Sequence, residues 1–128
     1  TLLHLRIIHC CHAGAVLHTH SLSGTLLSRT ELDRGSVTLE GWEMLKGLKG
    51  VTTHEVSVSV PVIANNQDLQ ALSESAALRL PEAPHGLLVS GHGLYAWGND
   101  LKEARRHTEI LEFLLELTWR KSLLGRQK

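Results

Sequence analysis

Apolar and polar positions repeat along this chain with two periods, and the switches between them outline its elements. Leu2, Leu3, Leu5, Ile7 and Ile8 give a helix-like stretch over residues 1 to about 10, broken at Ala13-Gly14, with no start signal ahead of it. The run Ala15-Val16-Leu17-His18-Thr19-His20-Ser21 reads as a strand, after which Ser21 can cap a helix through Thr25, Leu26 and Leu27. Asp33-Arg34-Gly35 turns into the β-branched strand Ser36-Val37-Thr38-Leu39, and residues 42–48 read as one or two helical turns broken by Gly47 and Gly50. Val56-Ser57-Val58-Ser59-Val60 alternates strictly, the mark of a strand with one buried face, and Pro61 predicts its end or an edge position.

Asn65-Asn66-Gln67-Asp68 opens a helix bearing Leu69, Leu72, Ala76, Leu78 and Leu80, stopped by Pro81 and Pro84. A second apolar strand follows in Gly86-Leu87-Leu88-Val89-Ser90. From Asp100 to about Leu124, Leu101, Ala104, Ile110, Leu111, Leu114, Leu115 and Leu117 recur at helical spacing. Asp100 with Glu103 approximates a capping box, and Gly125 can end the helix. Alternating strands and helices predict a layered α/β domain in which helices cover a sheet. The spacing leaves open whether that sheet is parallel or mixed.

Length and charge narrow the classes. The 128 residues suit one domain with a core of its own. Thirteen basic residues balance thirteen acidic ones, so no electrostatic footprint for nucleic acid or an anionic membrane exists. No apolar run approaches the ~20 residues of a membrane span, and Arg6 with scattered histidines interrupts any leader-like stretch. Cys10 and Cys11 are neighbours, and a mutual disulfide would be strained. Reduced thiols and a cytoplasmic location are therefore expected. Trp97 and Trp119 are expected to serve packing.

The candidate chemistry lies in three histidines. Strand side chains alternate faces, so His18 and His20 point the same way while Thr19 points opposite. His92 stands between Gly91 and Gly93 directly after the second apolar run, where glycines let the backbone bend and leave room around the ring. Zinc held by three protein ligands keeps one coordination position open, which is the catalytic arrangement. A metal so placed polarises a carbonyl oxygen and stabilises the charge left when a neighbouring proton departs. The base that takes that proton is then sought among nearby acids. Glu40 and Glu43 are the candidates, Glu43 at the start of a helical turn where desolvation would raise its pKa, and spacing does not choose between them. His4, His9, His12, His54 and His85 read as structural or surface residues, and His107 as part of a solvated helix face beside Arg105 and Arg106.

The His-Thr-His strand, Glu43-Met44-Leu45-Lys46-Gly47 and Gly91-His92-Gly93-Leu94-Tyr95-Ala96-Trp97-Gly98 together resemble the class II aldolase/adducin family. Pro61-Val62-Ile63-Ala64-Asn65 and Glu103-Ala104-Arg105-Arg106-His107 run in the same order there. The resemblance implies a three-layer α/β/α sandwich that lacks its N-terminal part, with the phosphate-holding loops lying before Thr1. It implies one zinc held by His18, His20 and His92, an acid/base at Glu43 in preference to Glu40, and a homotetramer with sites near subunit boundaries. Its Gly-Trp-Glu-Met-Leu-Lys-Gly and Tyr-Ala-Trp-Gly stretches point to a dehydratase branch. The implied substrate is 5-methylthioribulose 1-phosphate, converted to 2,3-diketo-5-methylthiopentyl 1-phosphate in methionine salvage. No role falls to Cys10 or Cys11. Two other readings stay open: a sugar-phosphate aldolase or epimerase of the same family, and a non-catalytic adducin-like interaction domain.

Overall fold

A computed structural model describes residues 1–125. Among these residues, five strands pair in the order β1-β5-β4-β3-β2. They are β1 (Ala15–Thr19), β2 (Ser36–Glu40), β3 (Ser57–Ile63), β4 (Gly86–Val89) and β5 (Gly93–Gly98). The β3–β4 pair is parallel and the other three are antiparallel, so the sheet is mixed. Four α-helices of the described chain surround it: α1 (Leu2–Cys11), α2 (Leu22–Thr30), α3 (Leu69–Arg79) and α4 (Leu101–Gly125).

Alternation along the central strands feeds two cores. Val60, Val62, Leu88, Leu94 and Ala96 point to one face, against Leu27 of α2 and Ile110, Leu111, Leu114 and Leu115 of α4. Ile63, Leu87, Val89, Tyr95 and Trp97 point to the other, against Leu3 and Ile7 of α1 and Leu72 and Ala76 of α3. The result is the expected helix, sheet, helix sandwich. Each fully buried Leu, Ile or Val contributes about 1.5–3 kcal/mol. Trp97 belongs to the α1/α3 core, and Trp119 packs half-buried against the α2/α4 core.

The helix starts are fixed locally. Ser21 accepts from the Gly24 N–H, and Asp68 accepts from the Gln70 and Ala71 N–H groups. At α4, Asp100 accepts from the Glu103 N–H at 2.8 Å, while Glu103 reaches back to accept from the Asn99 N–H at 2.9 Å. Helix α1 does have a start signal: Thr1 Oγ1 accepts from the His4 N–H. At its other end His12 takes the left-handed conformation, φ 53°.

The structure also departs from the sequence pattern in β5, at Pro61 and at His107. Strand β5 is absent from the elements that the pattern predicts. All six of its residues are buried under both helix layers, so no polar alternation marks it. Pro61 neither ends β3 nor lies on an edge: it pairs with Ser36 of β2, and the parallel ladder to β4 begins at the next residue, Val62. The missing N–H thus falls where β3 changes partners.

His107 is not on a solvated face. It is 1% exposed, donating from Nδ1 to the Trp97 carbonyl at 2.7 Å and accepting at Nε2 from the Lys49 N–H at 3.1 Å. His85 packs edge-on against it and donates from Nε2 to the Lys49 carbonyl at 2.7 Å. Its buried Nδ1 has no partner among the described residues. Burial holds the His85 pKa below its ordinary value near 6.5, with His107 adding to the depression and the Lys49 carbonyl and Glu103 opposing it.

An unfolded His85 accepts a proton more readily than the folded one, so stability is full above about pH 6.5 and falls as pH drops below it. A His85→Gln variant should therefore lose less stability than the parent between about pH 7.5 and about pH 5.5, read as the urea midpoint. Equal losses in the two proteins would count against this.

Candidate metal centre

The three histidines are assembled by strand register and one glycine-flanked turn. His18 pairs with Tyr95 across the β1–β5 ladder. Its ring stacks on that of Tyr95 at 4.0 Å and 18°. His20 follows one residue after β1, on the face of His18. His92 lies in the turn between β4 and β5, donating its N–H to the Val89 carbonyl at 2.9 Å. Gly91 has φ 67°, and Gly93 has φ 149° with the Thr19 carbonyl oxygen only 2.1 Å from where a Cβ would stand. Any side chain at position 93 would push β1 away from the turn.

The ring nitrogens are sorted by their backbone partners. His18 donates from Nδ1 to the Leu94 carbonyl at 2.8 Å, and His20 donates from Nδ1 to the His92 carbonyl at 2.7 Å. Each proton is therefore held on Nδ1, and each Nε2 presents a free lone pair. His92 Nε2 and His18 Nε2 face one another at 3.1 Å. One ligand nitrogen from each of the three residues lies within 4.8 Å of the others. Two imidazoles sharing a tetrahedral zinc, with Zn–N near 2.0–2.1 Å, hold their nitrogens about 3.3 Å apart. The donor set thus fits a single ion of that size. Burial lowers the His18 pKa, and neighbouring His20 and His92 add to the effect against the Leu94 hydrogen bond. A neutral imidazole is what ligation requires.

A cavity of about 460 Å³ opens beside the triad. His4, assigned no role from sequence, reaches it from α1, its ring 5.3 Å from that of Tyr95 in an edge-on contact. Its spacing of three residues from buried Ile7 was the available signal. Burial raises the Tyr95 pKa, and Tyr95 also lines the cavity.

The acids lie elsewhere. Glu40 ends β2 opposite Ser57, at the start of β3, whereas the triad sits where β1, β3 and β4 end. Strand β2 is also at the opposite edge of the sheet from β1. Glu43 begins a 3₁₀ turn, Glu43–Gly47, three residues beyond. A rise of ~3.3 Å per strand residue and ~4.8 Å per strand spacing puts Glu43 on the order of 20 Å from the triad of its own chain.

Its setting also differs from expectation. The Glu43 carboxylate is 70% exposed, paired with Lys46 and 3.6 Å from His54 Nδ1. The Lys46 hydrogen bond and charge, with His54 assisting, hold its pKa below the usual carboxylate value instead of raising it. Desolvation opposes them only weakly, because the side chain stands in solvent.

Similarity to known proteins agrees with this architecture. A family model of the class II aldolase and adducin N-terminal domain matches residues 1–119. The methylthioribulose-1-phosphate dehydratase of Xanthomonas campestris pv. campestris (strain 8004) is 50% identical over 117 residues, covering 90% of this chain and 54% of that protein. The protein of the same name from Sorangium cellulosum is 44% identical over 119 residues, covering 91% of this chain and 56% of its own length. This chain accordingly spans about half the length of the curated relatives it matches.

Among solved structures, l-fuculose-1-phosphate aldolase from Thermus thermophilus superposes with a TM-score of 0.73 at 23% identity, over 97% of this chain and 61% of that one. YgbL of Escherichia coli, a putative aldolase/epimerase/decarboxylase, gives 0.70 at 24% identity, over 91% of this chain and 53% of that one. Both share the fold. The class II aldolase family is generally metal-dependent, and the histidine triad supplies a matching cluster. On the match across residues 1–119 and the sandwich it accompanies, the chain belongs to the class II aldolase and adducin family.

Proposed function

We propose that the protein is a zinc-dependent lyase that dehydrates 5-methylthioribulose 1-phosphate to 2,3-diketo-5-methylthiopentyl 1-phosphate, as a step of methionine salvage in the cytoplasm. The observation that carries this reading is the convergence of His18, His20 and His92, in a chain 44–50% identical to proteins named methylthioribulose-1-phosphate dehydratase. A bound divalent ion supplies Lewis acidity toward the ketose oxygens and the charge that develops beside them. The chain's own groups do the rest. The Leu94 and His92 carbonyls keep His18 and His20 in the tautomer that ligates. Tyr95 holds the His18 ring in place by stacking on it.

Glu43 is the acid/base. It takes the proton from carbon 3, the bond from carbon 4 to its hydroxyl oxygen breaks, and the carboxyl returns the proton so that water leaves. The enol that remains ketonises to the diketone. Because Glu43 lies at the far end of its own sheet, the carboxylate reaching a given triad belongs to a second copy of the chain. This supports a homo-oligomer whose sites form between subunits, and a homotetramer is the assembly proposed. Docking buries Glu43 and draws it from Lys46, which moves its pKa upward toward a working range.

The test is turnover by the metal-loaded protein, offered 5-methylthioribulose 1-phosphate and fuculose 1-phosphate in separate assays. Zinc at one per chain and diketone from the methylthio sugar alone are expected. Cleavage of fuculose 1-phosphate without dehydration would favour an aldolase, and failure to hold metal would favour an adducin-like interaction domain.

A further inference from the structure

The cavity beside the triad is lined by two unlike kinds of residue. Its lining combines the imidazoles and the polar Asn65-Asn66-Gln67 loop with the apolar Leu2, Leu3, Leu69 and Leu72, and the Tyr95 ring stacks on His18. Among its described lining residues there is no lysine or arginine. A ketose phosphate gripped at its carbonyl and neighbouring hydroxyl extends in two directions from the ion. Its phosphate end needs cations or convergent N–H donors. Its methylthio end needs apolar surface, and the leucine wall provides that.

We infer that the leucine wall is the subsite for the thioether end of the substrate, and that Leu69 is its specificity-determining residue. The inference rests on the dehydratase reading above. Leu3 and Leu72 are buried and form the floor, whereas Leu69 is 61% exposed and forms the rim. An apolar side chain left in water at the mouth of a cavity gains most when a ligand covers it. Its position is fixed from behind: Asn66 accepts from the Asp68 N–H at 2.8 Å, and Asp68 in turn caps α3 through the Gln70 and Ala71 N–H groups. Leu69 is therefore held as the first residue of the helix.

The experiment compares kcat/KM for 5-methylthioribulose 1-phosphate and for ribulose 1-phosphate, which carries a hydroxyl in place of the methylthio group. The parent protein and Leu69→Asn are assayed with metal bound, and a thermal melt confirms that the exposed substitution leaves the fold intact. A lost apolar contact of this size changes discrimination by roughly 10–200-fold. The variant should lose at least about tenfold toward the methylthio sugar while staying within about twofold on ribulose 1-phosphate. Equal losses on both sugars, or no loss on either, overturn the subsite while leaving the dehydratase reading intact. A parent protein that turns over neither sugar overturns the reading and the subsite together.

Discussion

Replacing His18 or His92 with alanine is expected to abolish zinc binding and activity together. Each change leaves two imidazoles, His20 with His92 or His18 with His20, and two such ligands do not enclose a divalent ion. Loss of an outer hydrogen-bond partner alone typically costs 10–100-fold in metal affinity, and loss of a ligand costs more. The fold itself should survive. His20 and its neighbours lie at the ends of strands, and both large cores are built from other residues. Zinc content after dialysis and a thermal melt of the metal-free protein separate the two effects. Stoichiometric zinc in both variants would mean that the ion is held elsewhere.

Glu43→Gln is expected to cut kcat by ~10²–10⁴ while zinc remains bound, because the carboxylate lies far from the triad of its own chain. The proposed subunit arrangement adds a sharper expectation. A chain with Glu43→Gln keeps its imidazoles, and one with His18→Ala keeps its carboxylate. Co-refolding the two inactive variants in equal amounts should restore up to about a quarter of parental activity, as the proposed sharing of each site between two chains requires. No recovery in demonstrably mixed oligomers would show that Glu43 does not serve the triad across a boundary.

Local pattern carried the site further than it carried the fold around it. Period-two alternation was enough to put His18 and His20 on one face, and the glycines around His92 announced a turn that the register requires. Capping chemistry placed α2, α3 and α4 through Ser21, Asp68 and Asp100. What escaped were features set by tertiary neighbours. Strand β5 is covered on both faces, so its apolar run carries no period. Pro61 is tolerated inside β3 because pairing changes sides there, which no single strand can reveal.

His107 sits three residues after Ala104 and four before Leu111, on the buried stripe of α4; its adjacent arginines misled, and the helical spacing did not. The position of Glu43 was illegible for another reason. Strand order decides that β2 lies at the far edge, and order depends on long-range pairing that local sequence does not encode.

X-ray absorption at the zinc edge, on protein loaded with one equivalent of zinc, tests most directly whether three distant imidazoles share an ion. The expected result is a first shell of nitrogen and oxygen at about 2.0–2.1 Å, with the outer-ring scattering of three imidazoles and no sulfur. A sulfur shell near 2.3 Å, which would place the ion at Cys10 or Cys11, or fewer than three imidazoles around it, would contradict it.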